Sequence, residues 1–261
     1  MYTKKELIQN IESMKIDPYG TLLVHSSMKS IGDVKGGADT ILDVFSEYMK
    51  DGLLLFPTHS WKFIHYDAQK PVFDVRGTPS CVGILGNLFM KREGVLRSLH
   101  PTHSVAALGK SAADYISGEE LAITPCPASG CWGKLYSHHA TILFLGCTLR
   151  SNTFIHHVEE KNNIPDRVRT DTYRIKIIDE NGHEHFTDMH AHHSSAGDIS
   201  ENYDKLEKPF VFGKAIYYGA FGDAACIIGD AVKMADITSK LLKQAPNIFA
   251  DNTTVPESLY R

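Results

Sequence analysis

The sequence predicts a mixed α/β fold in a single domain spanning residues 1–261, on three observations. Short apolar runs open into polar loops: Thr21-Leu22-Leu23-Val24 into His25-Ser26-Ser27, and Leu53-Leu54-Leu55-Phe56 into Pro57-Thr58-His59-Ser60-Trp61. Segments of helical periodicity alternate with these runs, the order that α/β layers produce. Late in the chain, Asn181-Gly182 separates two strand-like runs, the strongest short signal for a tight hairpin.

From Thr3 to Met14, Leu7, Ile8, Ile11 and Met14 recur at helical spacing, and Thr3 with Glu6 matches a capping box. Asp17-Pro18-Tyr19-Gly20 turns the chain into the first buried strand, and a loop with Gly32, Gly36 and Gly37 leads to a helix from Ala38 to Lys50. Two more apolar strands run from Ser104 to Leu108 and from Ile142 to Cys147, with the Pro/Gly-punctuated loop Thr124 to Gly130 between them. Tyr173 to Ile178 and His183 to His190 form the predicted hairpin. A two-residue turn would set Ile177 opposite Phe186 and Tyr173 opposite His190. A strand from Ala224 to Ile228 and an amphipathic helix from Ala231 to Leu242 close the series, and no repeat or linker divides the chain.

Composition removes several classes. With 43% hydrophobic and 22% charged residues, the chain is neither disordered nor fibrous. No apolar run approaches the roughly 20 residues that cross a bilayer, and Met1 to Glu6 lacks the apolar stretch of a secretory leader. Twenty-seven basic against 31 acidic residues give a net charge of −4, which argues against a general nucleic-acid binder. Cys81, Cys126, Cys131, Cys147 and Cys226 are odd in number and show no CxxC spacing, so free thiols in a cytoplasmic protein are expected. Fourteen histidines are the unusual feature, because imidazole titrates near neutrality and ligates metals.

Three constellations carry candidate chemistry. In Ser151-Asn152-Thr153-Phe154-Ile155-His156-His157-Val158-Glu159-Glu160, Asn152 or Thr153 caps a helix, and Glu159 stands three residues beyond His156 on one face. A carboxylate so placed orients an imidazole for general-base work; the alternative is an ordinary solvated helix start. Arg97-Ser98-Leu99-His100-Pro101-Thr102-His103-Ser104 offers a guanidinium, hydroxyls and two imidazoles, suited to an anionic ligand or to a polar turn. His190-Ala191-His192-His193 reads as a metal site or as the wall of a polar cleft. On a strand, His190 and His192 share the face of Phe186, but a zinc site needs a third ligand, and no HExxH motif accompanies them.

Six segments, in order, resemble the aminoglycoside 3-N-acetyltransferase family, which is distinct in fold from the GNAT acetyltransferases. They are Leu22 to Gly32 around His25-Ser26-Ser27, Pro57 to Trp61, Arg97 to Gly109, Gly133-Lys134-Leu135-Tyr136, Ile142 to Cys147, and Asn152 to Glu159. The resemblance covers residues 5 to 245. It implies a three-layer α/β/α fold with a mixed sheet, and transfer of an acetyl group from acetyl-coenzyme A to an amine of an aminoglycoside or similar amino sugar. His156 takes the place of the family's motif histidine, with Glu159 as its acidic companion.

The resemblance assigns the cofactor side to His25, Ser26, Ser27, Ser30, Ser98, His100 and Ser104, with loop amides near Ser26 and Ser27 as donors to a developing oxyanion. Trp61, Asn152 and His192 fall to the acceptor side, and no metal ligand is assigned. The partners expected are a small-molecule amine and no nucleic acid or membrane, with the chain acting as a monomer or homodimer. Two other readings remain: a metal-dependent hydrolase built on His190, His192 and His193, and a cofactor-binding protein without aminoglycoside turnover.

Overall fold

The structure, a computed structural model, describes residues 1–261. In chain order its elements are α1 (Lys4–Ser13), β1 (Thr21–Ser26), α2 (Gly37–Tyr48), β2 (Leu53–Pro57), β3 (Val72–Asp74), α3 (Ile84–Phe89), β4 (Leu96–Arg97), β5 (Val105–Leu108) and α4 (Ala112–Ile116). Then follow α5 (Cys131–Ser137), β6 (Thr141–Leu145), α6 (Phe154–Lys161), β7 (Val168–Ile178), β8 (Glu184–His192), α7 (Glu207–Phe212), β9 (Ile216–Phe221), β10 (Ala224–Asp230) and α8 (Ala231–Gln244). The capping box at α1 is formed in full: the Glu6 amide donates to Thr3 Oγ1, and the Thr3 amide donates to Glu6 Oε2 at 2.8 Å.

Seven strands form a mixed sheet in the order β4-β5-β2-β1-β6-β10-β9. Its centre, β2-β1-β6, is parallel, and both edges are antiparallel. The central strands read as continuous apolar runs because both faces are covered. Leu22, Val24, Leu54, Phe56, Leu143 and Leu145 pack toward α1, α2 and α3, while Leu23, Leu53, Leu55, Ile142 and Phe144 pack toward α4, α5, α6 and α8. This is the expected three-layer α/β/α architecture with a mixed sheet.

A second sheet, β3-β7-β8, holds the late hairpin, and its register departs from expectation by one residue. Ile177 lies opposite His185 and Tyr173 opposite Met189, because the turn contains three residues, not two. The Asp179 amide donates to the His183 carbonyl at 3.0 Å, the Gly182 amide donates to the Asp179 carbonyl at 3.1 Å, and Gly182 takes a positive φ of 82°. This is the geometry of a type I turn closed by a left-handed residue, and the extra residue shifts every cross-strand pair. A bulge between Val168 and Thr172 interrupts the ladder of β7 and β8.

Candidate active site

β1, β2 and β6 run parallel, so their carboxyl ends open on one edge of the sheet, and β1 lies between strands whose connections leave on opposite faces. Ligands of open α/β sheets settle in such a crevice. Here it is a cleft of about 960 Å³ lined by His25 and Ser26 at the end of β1, His59 and Trp61 after β2, and Asn152, Thr153 and His156 after β6. The hairpin sheet supplies the facing wall with His190 and His192.

His156 sits in the first turn of α6 with its side chain 17% exposed. Its Nδ1 lies 3.3 Å from Glu159 Oε2 and 2.9 Å from the Tyr203 hydroxyl, which itself donates to Glu159 Oε2 at 2.8 Å. The other carboxylate oxygen, Oε1, accepts from Arg167 Nε at 2.6 Å, and both members of that ion pair are buried. Arg167 compensates the charge of a carboxylate that burial would otherwise make costly. Burial and the neighbouring carboxylate raise the Tyr203 hydroxyl well above the usual tyrosine range, so it stays a donor. The network assigns the His156 proton to Nδ1, facing Glu159, and leaves the Nε2 lone pair for chemistry.

A wall of imidazoles extends from this pair. The rings of His156 and His192 are 4.1 Å apart, His192 meets His103 edge-on at 4.9 Å, and His103 meets His59 at 4.9 Å. His59 Nε2 is 3.1 Å from Thr153 Oγ1, and Trp132 Nε1 donates to the His103 carbonyl at 2.8 Å. His25 stacks on Phe144 at 5.3 Å, and burial lowers it to about 3. Burial and their neighbours likewise hold His59, His103 and His192 well below the normal histidine range, so this wall is neutral at pH 7.

The expected cofactor residues divide. His25 and Ser26 line the cleft, whereas Ser27, Ser30, Ser98, His100 and Ser104 lie outside it. The Ser27 amide is spent on the Leu145 carbonyl at 2.8 Å, which removes it as an oxyanion donor, and Ser30 Oγ bonds to Ser27 Oγ and the Gly146 carbonyl. Ser98 Oγ donates to Glu119 Oε2 at 3.0 Å, and Ser104 Oγ donates to the Thr58 carbonyl at 2.8 Å. His100 Nδ1 accepts from the His103 amide at 2.9 Å. Four of the five N–H donors of the Arg97 guanidinium go to the carbonyls of Val75, Thr78 and Thr58 and to Ser104 Oγ, so it serves chiefly as a buried strut. The segment from Arg97 to Ser104 is thus a buried brace under the cleft, apart from Thr102 and His103.

On the acceptor side, Trp61 lies half-exposed in the lining and His192 faces inward, while Asn152 is fully buried with neither amide atom partnered. His190, His192 and His193 do not share a ligand position. His190 Nδ1 is 2.8 Å from the Arg169 carbonyl, and His193 pairs with Asp166 at 3.1 Å; only His192 reaches the imidazole wall. This arrangement speaks against the alternative reading of a metal centre built on these three histidines, because His190 and His193 are each held by a different partner. Tyr203 and Arg167 stand 44 and 8 residues from Glu159 and carry no local sequence signal that links them to it, while His59 and His103 lie in the Pro57 to Trp61 and Arg97 to Gly109 segments and join the wall without having been expected there.

Residues 23–243 match the family described as aminoglycoside 3-N-acetyltransferase. Aminoglycoside N(3)-acetyltransferase III of Salmonella sp is 27% identical over 197 residues, covering 70% of this chain and 68% of that protein. Among solved structures, a histidine-to-alanine mutant of aminoglycoside acetyltransferase AAC(3)-IVa in complex with gentamicin superposes with a TM-score of 0.81 at 21% identity, covering 100% of this chain and 94% of that one. AAC-IIIb in binary complex with CoASH gives 0.78 at 19% identity, covering 93% and 97%. The class the match defines is an acyltransferase. The chain belongs to the aminoglycoside 3-N-acetyltransferase family. No helix is long and apolar enough to cross a membrane.

Proposed function

We propose that the chain acts as one domain, residues 1–261, and moves the acetyl group of acetyl-coenzyme A to an amine of an aminoglycoside or similar amino sugar in the cytoplasm, with His156 as general base. The observation that carries this reading is the hold of Glu159 and Tyr203 on His156 Nδ1, with Arg167 anchoring the other oxygen of Glu159, which presents Nε2 as the acceptor of a proton. A cleft of about 960 Å³ fits a large donor together with an acceptor, and the buried polar atoms of Asn152 and His25 Nε2 that lack partners are suited to bind them.

Acetyl-coenzyme A supplies the thioester carbonyl: a C–N bond forms at the amine as the C–S bond breaks, and the sulfur leaves as a thiol. The chain's residues manage the proton. An alkylammonium is only about 10⁻³ deprotonated at pH 7, a deficit of roughly 4 kcal/mol. His156 Nε2 takes the proton that the attacking nitrogen loses and returns it to the departing sulfur, while Glu159 stabilises the transient imidazolium. Trp61 and Asn152 bound the acceptor side, and His25 and Ser26 the donor side.

Thiol release from acetyl-coenzyme A with a panel of aminoglycosides and amino sugars tests the reading. His156→Ala should lose about 10²- to 10⁴-fold in rate while the protein stays folded. Turnover by the variant at the unmodified rate would remove His156 from the mechanism. Coenzyme A binding without thiol release for any amine would favour a binding protein.

A further inference from the structure

One group of side chains at the floor of the cleft, two lining it and one buried behind them, serves no step of acyl transfer. A ligand atom from each of His103, Cys126 and His192 lies within 4.8 Å of the other two. They come from three places in the chain: the turn before β5, the loop before α5, and the end of β8. We propose that His103, Cys126 and His192 form a binding site for a divalent cation of the zinc class, opening into the cleft beside His156.

Each donor is held as a metal ligand needs. His192 Nε2 is buried and has no hydrogen-bond partner. Thr102 Oγ1, 2.9 Å from His103 Nδ1, also reaches Met189 Sδ as a donor at 3.5 Å. With its hydroxyl proton so directed, Thr102 accepts from His103 Nδ1 and leaves the Nε2 lone pair free, the outer-shell arrangement that fixes a metal-binding tautomer. Cys126 is pinned through its main chain by α6: its amide donates to Glu160 Oε1 at 2.8 Å, and its carbonyl lies 3.1 Å from His157 Nδ1. A tetrahedral zinc holds such donors roughly 3.5 Å apart, so side-chain rotations of about 1 Å complete the set.

Two imidazoles and a thiol select a borderline or soft cation over magnesium or calcium, which require oxygen ligands. Capture forms a metal–sulfur bond and releases the Cys126 thiol proton to solvent, with no change of oxidation state. His103 and His192 both line the cleft, so the fourth coordination position faces it. Because the His192 ring packs 4.1 Å from His156, a bound ion would fix the ring on which the candidate base rests.

Chelator-treated protein titrated with Co²⁺ alone tests the site independently of any acetyl transfer. One equivalent should bind with tetrahedral absorption and a thiolate-to-cobalt charge-transfer band, and Zn²⁺ should displace it. Cys126→Ser should abolish the band, Thr102→Val should weaken Zn²⁺ binding by about 10- to 100-fold with the band retained, and Cys81→Ser, His190→Ala and His193→Ala should change neither. Substoichiometric uptake by the unmodified protein, a cobalt spectrum without the thiolate band, or a band that survives Cys126→Ser would overturn the proposal. The spectrum of the unmodified protein decides by itself if Cys126→Ser does not fold.

Discussion

Along β1, β2 and β6 nearly every side chain is buried, whereas along β7 and β8 burial is intermittent and one face stays wet. The main sheet is clamped between two apolar layers of 32 and 23 buried residues, while the hairpin sheet shares a cluster of only seven. Both regions line the cleft, but they hold their side chains by different means. Packing fixes the main-sheet wall, as in the stacking of His25 on Phe144. Hydrogen bonds fix the hairpin wall, as in the bond between His190 and the Arg169 carbonyl. The candidate base His156 therefore follows a strand of the packed side, and the hairpin side closes the cleft through hydrogen bonds.

The largest expected effect tests the packed side. Phe144→Ala should destabilise the chain by about 3–5 kcal/mol, because it empties a fully buried site between the helices and the sheet. Denaturant unfolding measures this, and a cost under 1 kcal/mol would show that the main sheet is not the rigid wall described. Next comes Glu159→Ala, which strands Arg167 as an unpaired buried charge and should cost about 3 kcal/mol together with the activity. His156→Ala should lose activity alone, so the pair of variants separates the group that reacts from the group that supports it.

Smaller in scale is the acid response of His25. Its folded value lies near 3 because burial disfavours the imidazolium, while the unfolded chain titrates near the ordinary histidine value of 6.5. Between these limits the unfolded state binds the extra proton. The stability contributed by neutral His25 is therefore present above pH 6.5 and lost as pH falls toward 3, at about 1.4 kcal/mol per pH unit. Burial shifts His59, His100 and His157 in the same direction, which steepens the loss. Unfolding free energies from pH 7 to pH 4 measure the slope, and His25→Phe should reduce it by one proton. An unchanged slope in that variant would contradict the burial of His25.

The same contrast sets what the sequence revealed. Apolar runs such as Leu22-Leu23-Val24 and Ile142-Leu143-Phe144-Leu145 signal doubly covered strands directly, so the layers were legible. The pairing of His156 with Glu159 was legible too, because both lie on one helix turn. Tyr203 and Arg167 were not, since tertiary packing alone brings them to Glu159. Hydroxyls from Ser98 to Ser104 looked like ligand groups because composition does not distinguish a lining side chain from one bonded beneath the lining. The hairpin register was missed for a local reason: Asn-Gly fits two- and three-residue turns alike, and the choice fell to the Asp179 carboxylate, which accepts from the Asn181 and His183 amides.

That turn gives the smallest expected effect. Gly182 has φ at 82°, and a Cβ placed there would meet no atom within 4 Å. Gly182→Ala therefore probes backbone strain without a packing clash, and a left-handed L-residue costs about 1 kcal/mol. The loss should remain in the hairpin: amides of β7 and β8 should exchange faster, while those of β1, β2 and β6 keep their protection, because only seven buried apolar side chains tie the small sheet to the rest. In a chain of this size a global loss of that magnitude would lower Tm by about 2–4 °C. Uniformly faster exchange in both sheets, with a fall of that size, would mean that the two regions unfold together. The hairpin would then be as much a part of the rigid scaffold as the strands that carry His25 and lead to His156.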